Sequence, residues 1–208
     1  MLNGRTDADL VPFPGGGETE VWWELLSAAD GIGLISVDGA TETQDLQVLQ
    51  DVVRRLTEAG VAKHFIVRIR KIDPSDAAGS AELIRGVLDA LQESPLPEYE
   101  WPTLTKVFGA EDLARLLRIS ESSLNRYSNG SRTTPDLIAD RLHFIALIVG
   151  DLRGAYNEVG VRRWFHRHRN ALGGRAPIEL LGHDWVPDEE GPEAVRSLAH
   201  SLLFAPAT

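Results

Sequence analysis

Hydrophobic residues in the N-terminal half of the chain follow two different periods. Leucine, isoleucine and valine recur every three or four residues over 43–58 and 79–92, which is typical of amphipathic helices. A shorter helix is predicted at 21–29. Between the two longer helices, Phe65, Val67 and Ile69 alternate with mostly charged neighbours. That alternation predicts a half-exposed strand over 64–72.

Two further stretches complete the N-terminal pattern. Residues 31–37 (GIGLISV) predict a small buried strand or an extended loop. Residues 1–19 contain VPFPGGGE and few apolar positions, which predicts a flexible arm. Because strands and helices alternate over 20–98, we expect a small α/β unit there.

A proline-rich segment separates this unit from the rest of the chain. Residues 94–102 (SPLPEYEWP) carry three prolines, which interrupt helices, and we place a domain boundary there. The pattern beyond it is helical, so a mainly α protein is expected, with two further regions at 104–150 and 151–208. Residues 135–156 are apolar around most of the helix circumference, which is typical of a helix buried between layers or in a dimer.

The segment AEDLARLLRISESSLNRYSNG (110–130) has the pattern of a helix-turn-helix. Its leucines form an apolar face on the first helix, and Ala114 is small enough to let the second helix approach. Ser120 is placed to cap the second helix, and the Asn129-Gly130 pair ends it with residues that tolerate positive φ. Arg118 stands at the turn position that glycine usually holds in the repressors this segment resembles, those of the Xre type.

The second helix of this motif would be the one that reads DNA. Its outward side chains are placed to reach base edges and phosphates, whereas Leu124 and Tyr127 face the core. Arginines at the turn and after the helix would add phosphate contacts. The residues predicted to bind DNA are Arg118, Ser120, Ser122, Ser123, Asn125, Arg126 and Arg132.

Composition narrows the class of protein. The 208 residues have a formal net charge of −10, which argues against a protein coated in nucleic acid but permits a local basic face. Residues 151–175 are such a region, with six bases and two acids. There is no cysteine, no apolar run long enough to span a bilayer and no signal-peptide pattern, so we expect a cytoplasmic protein without disulfides or membrane contact.

An enzymatic function is not expected. His166 and His168 are two residues apart on a predicted helix and point away from each other. The remaining histidines are scattered, and no phosphate-binding loop, nucleophile elbow or paired aspartate motif is present. We therefore expect no metal site, no catalytic residue and no cofactor.

The most specific motif lies near the C-terminus, in VRRWFHRHRNALGGRAPIELLG (161–182). We expect Trp164 and Phe165 to lie on the buried side of a helix whose arginines face outward. The glycines of NALGGR permit unusual backbone angles, and Pro177 starts the next helix. The order of these residues resembles the toxin-binding domain of the Xre/MbcA/ParS antitoxin family. The resemblance covers about 104–203, with the helix-turn-helix in the expected place.

The resemblance implies an all-helical, homodimeric antitoxin that represses its own operon. It also implies a partner: a RES-domain toxin, which consumes NAD and is inhibited when the C-terminal region of the antitoxin covers the NAD entrance. On this basis the last 35 or so residues and the LGGR loop would contact the toxin. The residues predicted for this contact are Arg175, Glu193, Arg196, His200 and Phe204.

Two features of the chain depart from the family pattern. About 100 residues precede the helix-turn-helix, and HDWVPDEE (183–190) lengthens the loop before the last helix. Two other interpretations therefore stay open: a stand-alone transcription regulator without a toxin, and an interaction protein that has lost DNA binding.

Overall fold

The computed structural model describes residues 19–36, 46–61, 63–69, 71, 77–182 and 184–203. Within these residues the chain is mainly α-helical, as predicted, and forms no strand. A 3-10 turn at Asn170–Leu172 accompanies the α-helices. The helices are α1 (Thr19–Ile32), α2 (Leu46–Glu58), α3 (Phe65–Ile69), α4 (Ala77–Gln92), α5 (Pro97–Leu117), α6 (Glu121–Ser128), α7 (Asp136–Arg153), α8 (Glu158–His166), α9 (Pro177–Leu180) and α10 (Glu190–Leu203).

The predicted strand at 64–72 is wrong over the described residues, because Phe65–Ile69 is helix α3. Phe65 and Ile69 are buried and lie one helical turn apart, whereas Val67 is 56% exposed. Gly86 on α4 gives the Phe65 ring its space, since a Cβ there would meet the ring edge. The apparent alternation was therefore part of a four-residue spacing.

Of the two alternatives predicted for 31–37, the strand does not form over the described residues, where α1 ends and a turn follows. Helix α1 continues to Ile32, and Gly33 adopts a φ of 92°. The backbone N–H groups of Gly33 and Leu34 both donate to the carbonyl oxygen of Ala29, at 3.1 and 2.9 Å, which closes the helix end. The apolar residues here end a helix and enter the core, so no α/β unit forms in the described residues. Val37 and residues 1–18 of the predicted arm lie outside those residues, whereas Thr19, the last residue of that arm, begins α1.

Helix α7 lies at the centre of the fold. Helices α1, α5 and α10 pack around it, and its apolar residues from Ile138 to Leu152 are buried. Gly31 and Gly150 allow α1 to approach closely, and the Ser27 hydroxyl donates to the Gly150 carbonyl at 3.0 Å. The apolar surface that suggested a dimer on this helix is therefore covered within a single chain.

A buried polar network joins the two sides of the predicted boundary. The Glu100 carboxylate accepts from the Leu96 N–H at 3.1 Å and lies 2.6 Å from Nδ1 of His143 on α7. The other ring nitrogen of His143 lies 2.9 Å from the Gln92 carbonyl oxygen, at the end of α4. The segment between α4 and α5 is therefore held against the central helix.

Two helices begin or end at residues other than those predicted. Helix α5 begins at Pro97 and continues through Pro102, so the proline-rich segment interrupts the chain on its N-terminal side only. Helix α7 starts after Pro135, which is its N-cap, and ends at Arg153. None of the described helices is both long enough and apolar enough to cross a membrane.

Candidate functional site

The predicted helix-turn-helix is present, and a break in α5 defines its first helix. Gly109 has φ 75° and ψ 174°, so residues 110–117 form a separate helical segment at the end of α5. Arg118 adopts the left-handed conformation, with φ 58° and ψ 43°. It is the one described residue other than glycine with positive φ, and such a conformation costs about 1 kcal/mol. The turn therefore keeps a left-handed residue at the position that glycine usually holds, and that residue is arginine.

The predicted core and cap of the motif are confirmed. Ala114 is 3% exposed, and the leucines of the first helix and Leu124 are also buried. The Ser120 hydroxyl accepts a hydrogen bond from the Ser123 N–H at 3.1 Å and caps α6. The half-buried Tyr127 ring stacks on Trp101 with centroids 6.4 Å apart. Helix α6 is therefore fixed along one face and exposed along the other.

The structure divides the residues predicted to bind DNA into two groups. Four lie outside the turn and the cap and are exposed: Ser122, Asn125, Arg126 and Arg132. Arg126 donates to the Ser123 hydroxyl at 3.3 Å. The backbones of Arg126 and Arg132 are in contact, because the Arg132 N–H donates to the Arg126 carbonyl at 3.0 Å. The Arg132 guanidinium also lies over the Tyr127 ring, 5.8 Å from its centroid.

The other three residues make contacts within the protein. Ser120 and Ser123 are engaged in the cap, and their hydroxyls are 3.0 Å apart. The Arg118 guanidinium donates two hydrogen bonds, of 3.1 and 2.7 Å, to the carbonyl oxygen of Leu181, directly after α9. Arg118 is thus held by the C-terminal module instead of joining Arg126 and Arg132.

Two residues that the sequence analysis did not single out complete this connection. Arg141 on α7 donates to the Trp185 carbonyl at 2.7 Å and to the Leu117 carbonyl at 3.2 Å. The indole N–H of Trp185 donates to the Leu116 carbonyl at 3.1 Å. These bonds satisfy carbonyls at the end of the first helix, where no intrahelical partner exists.

The environment of Arg141 and Trp185 explains their role. Burial lowers the pKa of Arg141, and its guanidinium lies 5.3 Å from the Trp185 ring centroid. A single arginine within the apolar run of α7 was the sequence signal for this contact. Trp185 belongs to the segment that lengthens the loop before α10, so this loop supports the helix-turn-helix.

The C-terminal motif folds as its residues predict. Trp164 and Phe165 are buried on α8, with 1% and 0% exposed. Gly173 and Gly174 have φ values of 65° and 79°, with open space where a Cβ would stand, so the backbone angles favour glycine at both positions. The Arg169 N–H donates to the Arg175 carbonyl at 3.0 Å and closes the loop, which leaves the Arg175 side chain exposed.

The residues predicted to contact a toxin differ in how far their side chains are exposed. Glu193 on α10 is exposed like Arg175, and α10 packs against the 3-10 turn that precedes the Arg175 loop. Arg196 is half-buried, and burial lowers its pKa. Phe204 lies outside the described residues.

His200 is held by carboxylates of its own chain. Its ring nitrogens lie 3.5 Å from Asp151 and 3.7 Å from Glu24. The hydrogen bond to Asp151 raises the pKa of His200 above its usual value, against the opposing effect of burial. The exposed part of the predicted contact is therefore Arg175 and Glu193.

Comparison with known proteins identifies no relative of this chain. No protein-family model matches the chain, and no curated protein or solved structure matches it significantly. The helix-turn-helix geometry and the C-terminal loop are therefore the features from which a function is inferred.

Proposed function

We propose that the chain is an antitoxin of a type II toxin–antitoxin system. It binds operator DNA through α6 to repress its own operon, and it neutralises a RES-type, NAD-consuming toxin by direct binding. The observation that carries this proposal is the helix-turn-helix itself. A left-handed Arg118 and the Ser120 cap orient α6 so that Ser122, Asn125 and Arg126 face outward.

The chemistry of the exposed face of α6 suits a DNA major groove. Asparagine forms paired hydrogen bonds with adenine, and arginine does so with guanine. Asn125 and Arg126 are adjacent and exposed, so neither must break a buried contact to reach a base. Arg132, directly beyond the helix, can add a phosphate contact.

The DNA-binding part is tested by replacing Asn125 and Arg126 together with alanine. We expect operator binding to weaken by about 1–3 kcal/mol for each base that is no longer read, with unchanged circular dichroism because both side chains are exposed. The measurement is a gel shift on the DNA upstream of the chain's own gene. The matched control, Gln50→Ala with Arg85→Ala, removes an amide and a charge from exposed positions on α2 and α4. Full binding by the α6 variant would contradict the assignment.

A homodimer is part of the proposal. One helix-turn-helix reads a half-site, whereas a dimer reads a palindrome with two such helices. Since α7 is covered within the chain, the dimer must use another surface. Light scattering at micromolar concentration should give twice the 22.8 kDa of one chain. A monomer at that concentration would count against the dimer.

The support for a toxin partner is the LGGR loop and its resemblance to the antitoxin module. The loop presents Arg175, and α10 presents Glu193, outside the contacts that maintain the fold. Truncation after Pro187 would be a poor test, because it removes Val195 and Ala199, both 0% exposed, from the core. Charge reversal at Arg175 and Glu193 tests the contact while leaving that core in place.

A stand-alone regulator is the second candidate. It is favoured by the position of Arg196 and His200, which have environments within the chain that need no toxin. Co-purification with the product of a neighbouring RES-type reading frame distinguishes the two. Retention of that product supports the antitoxin, whereas sequence-specific DNA binding without any such partner supports the regulator.

A further inference from the structure

We propose that a basic face on α8 binds the phosphate backbone of the DNA that α6 reads. This α8 basic face consists of Arg163, His166 and Arg167. The inference rests on the proposed DNA binding and extends it to a second, sequence-independent contact outside the helix-turn-helix.

The face is built by helical spacing. Arg163 and His166 lie three residues apart on α8 and therefore share one side of the helix. Arg167, the extended residue that follows the helix, lines the same groove as both. All three are exposed, whereas Trp164 and Phe165 anchor the opposite side of α8 in the core. The buried aromatic residues thus fix the direction in which the exposed side chains of α8 project.

Arg163 and Arg167 have no carboxylate partner within the described residues. Some exposed arginines elsewhere are neutralised, as Arg54 is by Asp51 and Glu58. Arg68 likewise pairs with Glu82 at 2.9 Å. A group of unpaired cations on a chain with a net charge of −10 provides a local surface for an anionic partner.

The α8 basic face adjoins the first helix of the helix-turn-helix. Together with Val159 and Arg162 of α8 and Asp112 of the segment 110–117, it lines an open groove of about 470 Å³. Arg162 donates to the Val107 carbonyl at 2.9 Å and so holds α8 against α5. Asp112 pairs with Arg115 at 3.2 Å and forms no ion pair with the arginines of the groove.

The helix-turn-helix lacks enough cations of its own for strong phosphate binding. Arg118 is held by Leu181, and Arg115 is paired with Glu111 and Asp112. Arg126 and Arg132 remain, beside the exposed acid Glu121. Because neutralised phosphates supply most of the affinity of such proteins for DNA, the adjoining face provides the missing charge.

The test is the salt dependence of DNA binding by the full chain, measured by fluorescence anisotropy. Arg163→Ala with Arg167→Ala should weaken binding to operator and unrelated duplexes by the same factor. The slope of log K against log salt should become shallower by about 2, one for each phosphate that is no longer neutralised. The preference for operator over unrelated DNA should stay as in the unchanged chain.

Two controls separate the site from general effects. Lys63→Ala with Arg85→Ala removes the same charge from exposed N-terminal positions and should leave the slope unchanged. Arg163→Lys with Arg167→Lys keeps the charge and should restore the slope. If the alanine variant is less stable, this lysine pair against the matching glutamine pair repeats the comparison.

The outcomes distinguish this inference from the proposed function. An unchanged slope in the alanine variant overturns the phosphate contact, and loss of toxin co-purification in the same variant identifies the face as a protein-binding site instead. Loss of operator preference in the Asn125 and Arg126 variant belongs to the proposed function alone. If the unchanged chain binds no DNA at all, the phosphate contact and the proposed DNA binding by α6 are both overturned.

Discussion

Among single residues, His200 links the last helix to the core by a charge interaction. It lies between Asp151 on α7 and Glu24 on α1, and the Asp151 contact raises its pKa. A histidine with a raised pKa stabilises the fold fully below its unfolded pKa, near 6.5, and this contribution is lost as the pH rises through the folded value. His200 therefore stabilises the chain under mildly acidic conditions.

We predict that the free energy of unfolding attributable to this contact falls as the pH increases above about 6.5. His200→Gln should remove that part of the pH dependence, which urea denaturation at pH 6 and pH 8 measures. His166→Gln is the matched control, because His166 is exposed and has no ion-pair partner in the described part of the chain. An equal pH dependence in the His200→Gln variant would refute this role.

Residue-scale features were predictable where their partners are close in sequence. Ser120 caps a helix that starts one residue later, and Ala114 lies within the same short motif, so local pattern identified both. The contacts of Arg118 and Trp185 span 63 and 69 residues. No local pattern specifies such partners, and the use of Arg118 as a link to α9 is therefore visible only in the fold.

At the scale of elements, the approach of α1 to α7 decides how the N-terminal residues join the rest of the chain. Gly31 and Gly150 face each other, and a Cβ at Gly150 would meet the Ser27 carbonyl. The Asp30 carboxylate also pairs with Arg153 at 2.8 Å. Helix α1 is therefore part of the same core as the helix-turn-helix.

Gly150→Ala should destabilise the chain by on the order of 3 kcal/mol, because the added methyl group forces two backbones apart. The sign is informative, since alanine usually stabilises a helix interior relative to glycine by about 1 kcal/mol. Gly154→Ala, with its nearest contact at 3.7 Å, is the control and should be neutral or slightly stabilising. Urea denaturation gives both values, and a Gly150→Ala variant as stable as the control would contradict the close packing.

Element types were predictable where apolar residues repeat over several helical turns, as in α2, α4 and α7. They were not predictable over 64–72, because a five-residue helix with apolar residues on several faces also fits an alternating pattern. Burial resolved that ambiguity: Phe65 and Ile69 face the core together, and Val67 does not.

At the scale of the whole molecule, the proposed functions use different side chains. The exposed face of α6 and the α8 basic face are proposed for DNA, whereas Arg175 and Glu193 lie on the loop and helix proposed for the toxin. The contacts from Arg118 and Arg141 to Leu181 and Trp185 connect these regions through the fold. The two proposed contacts therefore share no side chain.

The most direct test of the central claim is the NAD content of cells that express the neighbouring RES-type toxin together with this chain. We predict that the unchanged chain preserves NAD and that Arg175→Glu with Glu193→Arg loses this protection. The Asn125→Ala, Arg126→Ala variant, expressed from an independent promoter, should protect as well as the unchanged chain. NAD that stays depleted in the presence of the unchanged chain would contradict the antitoxin function.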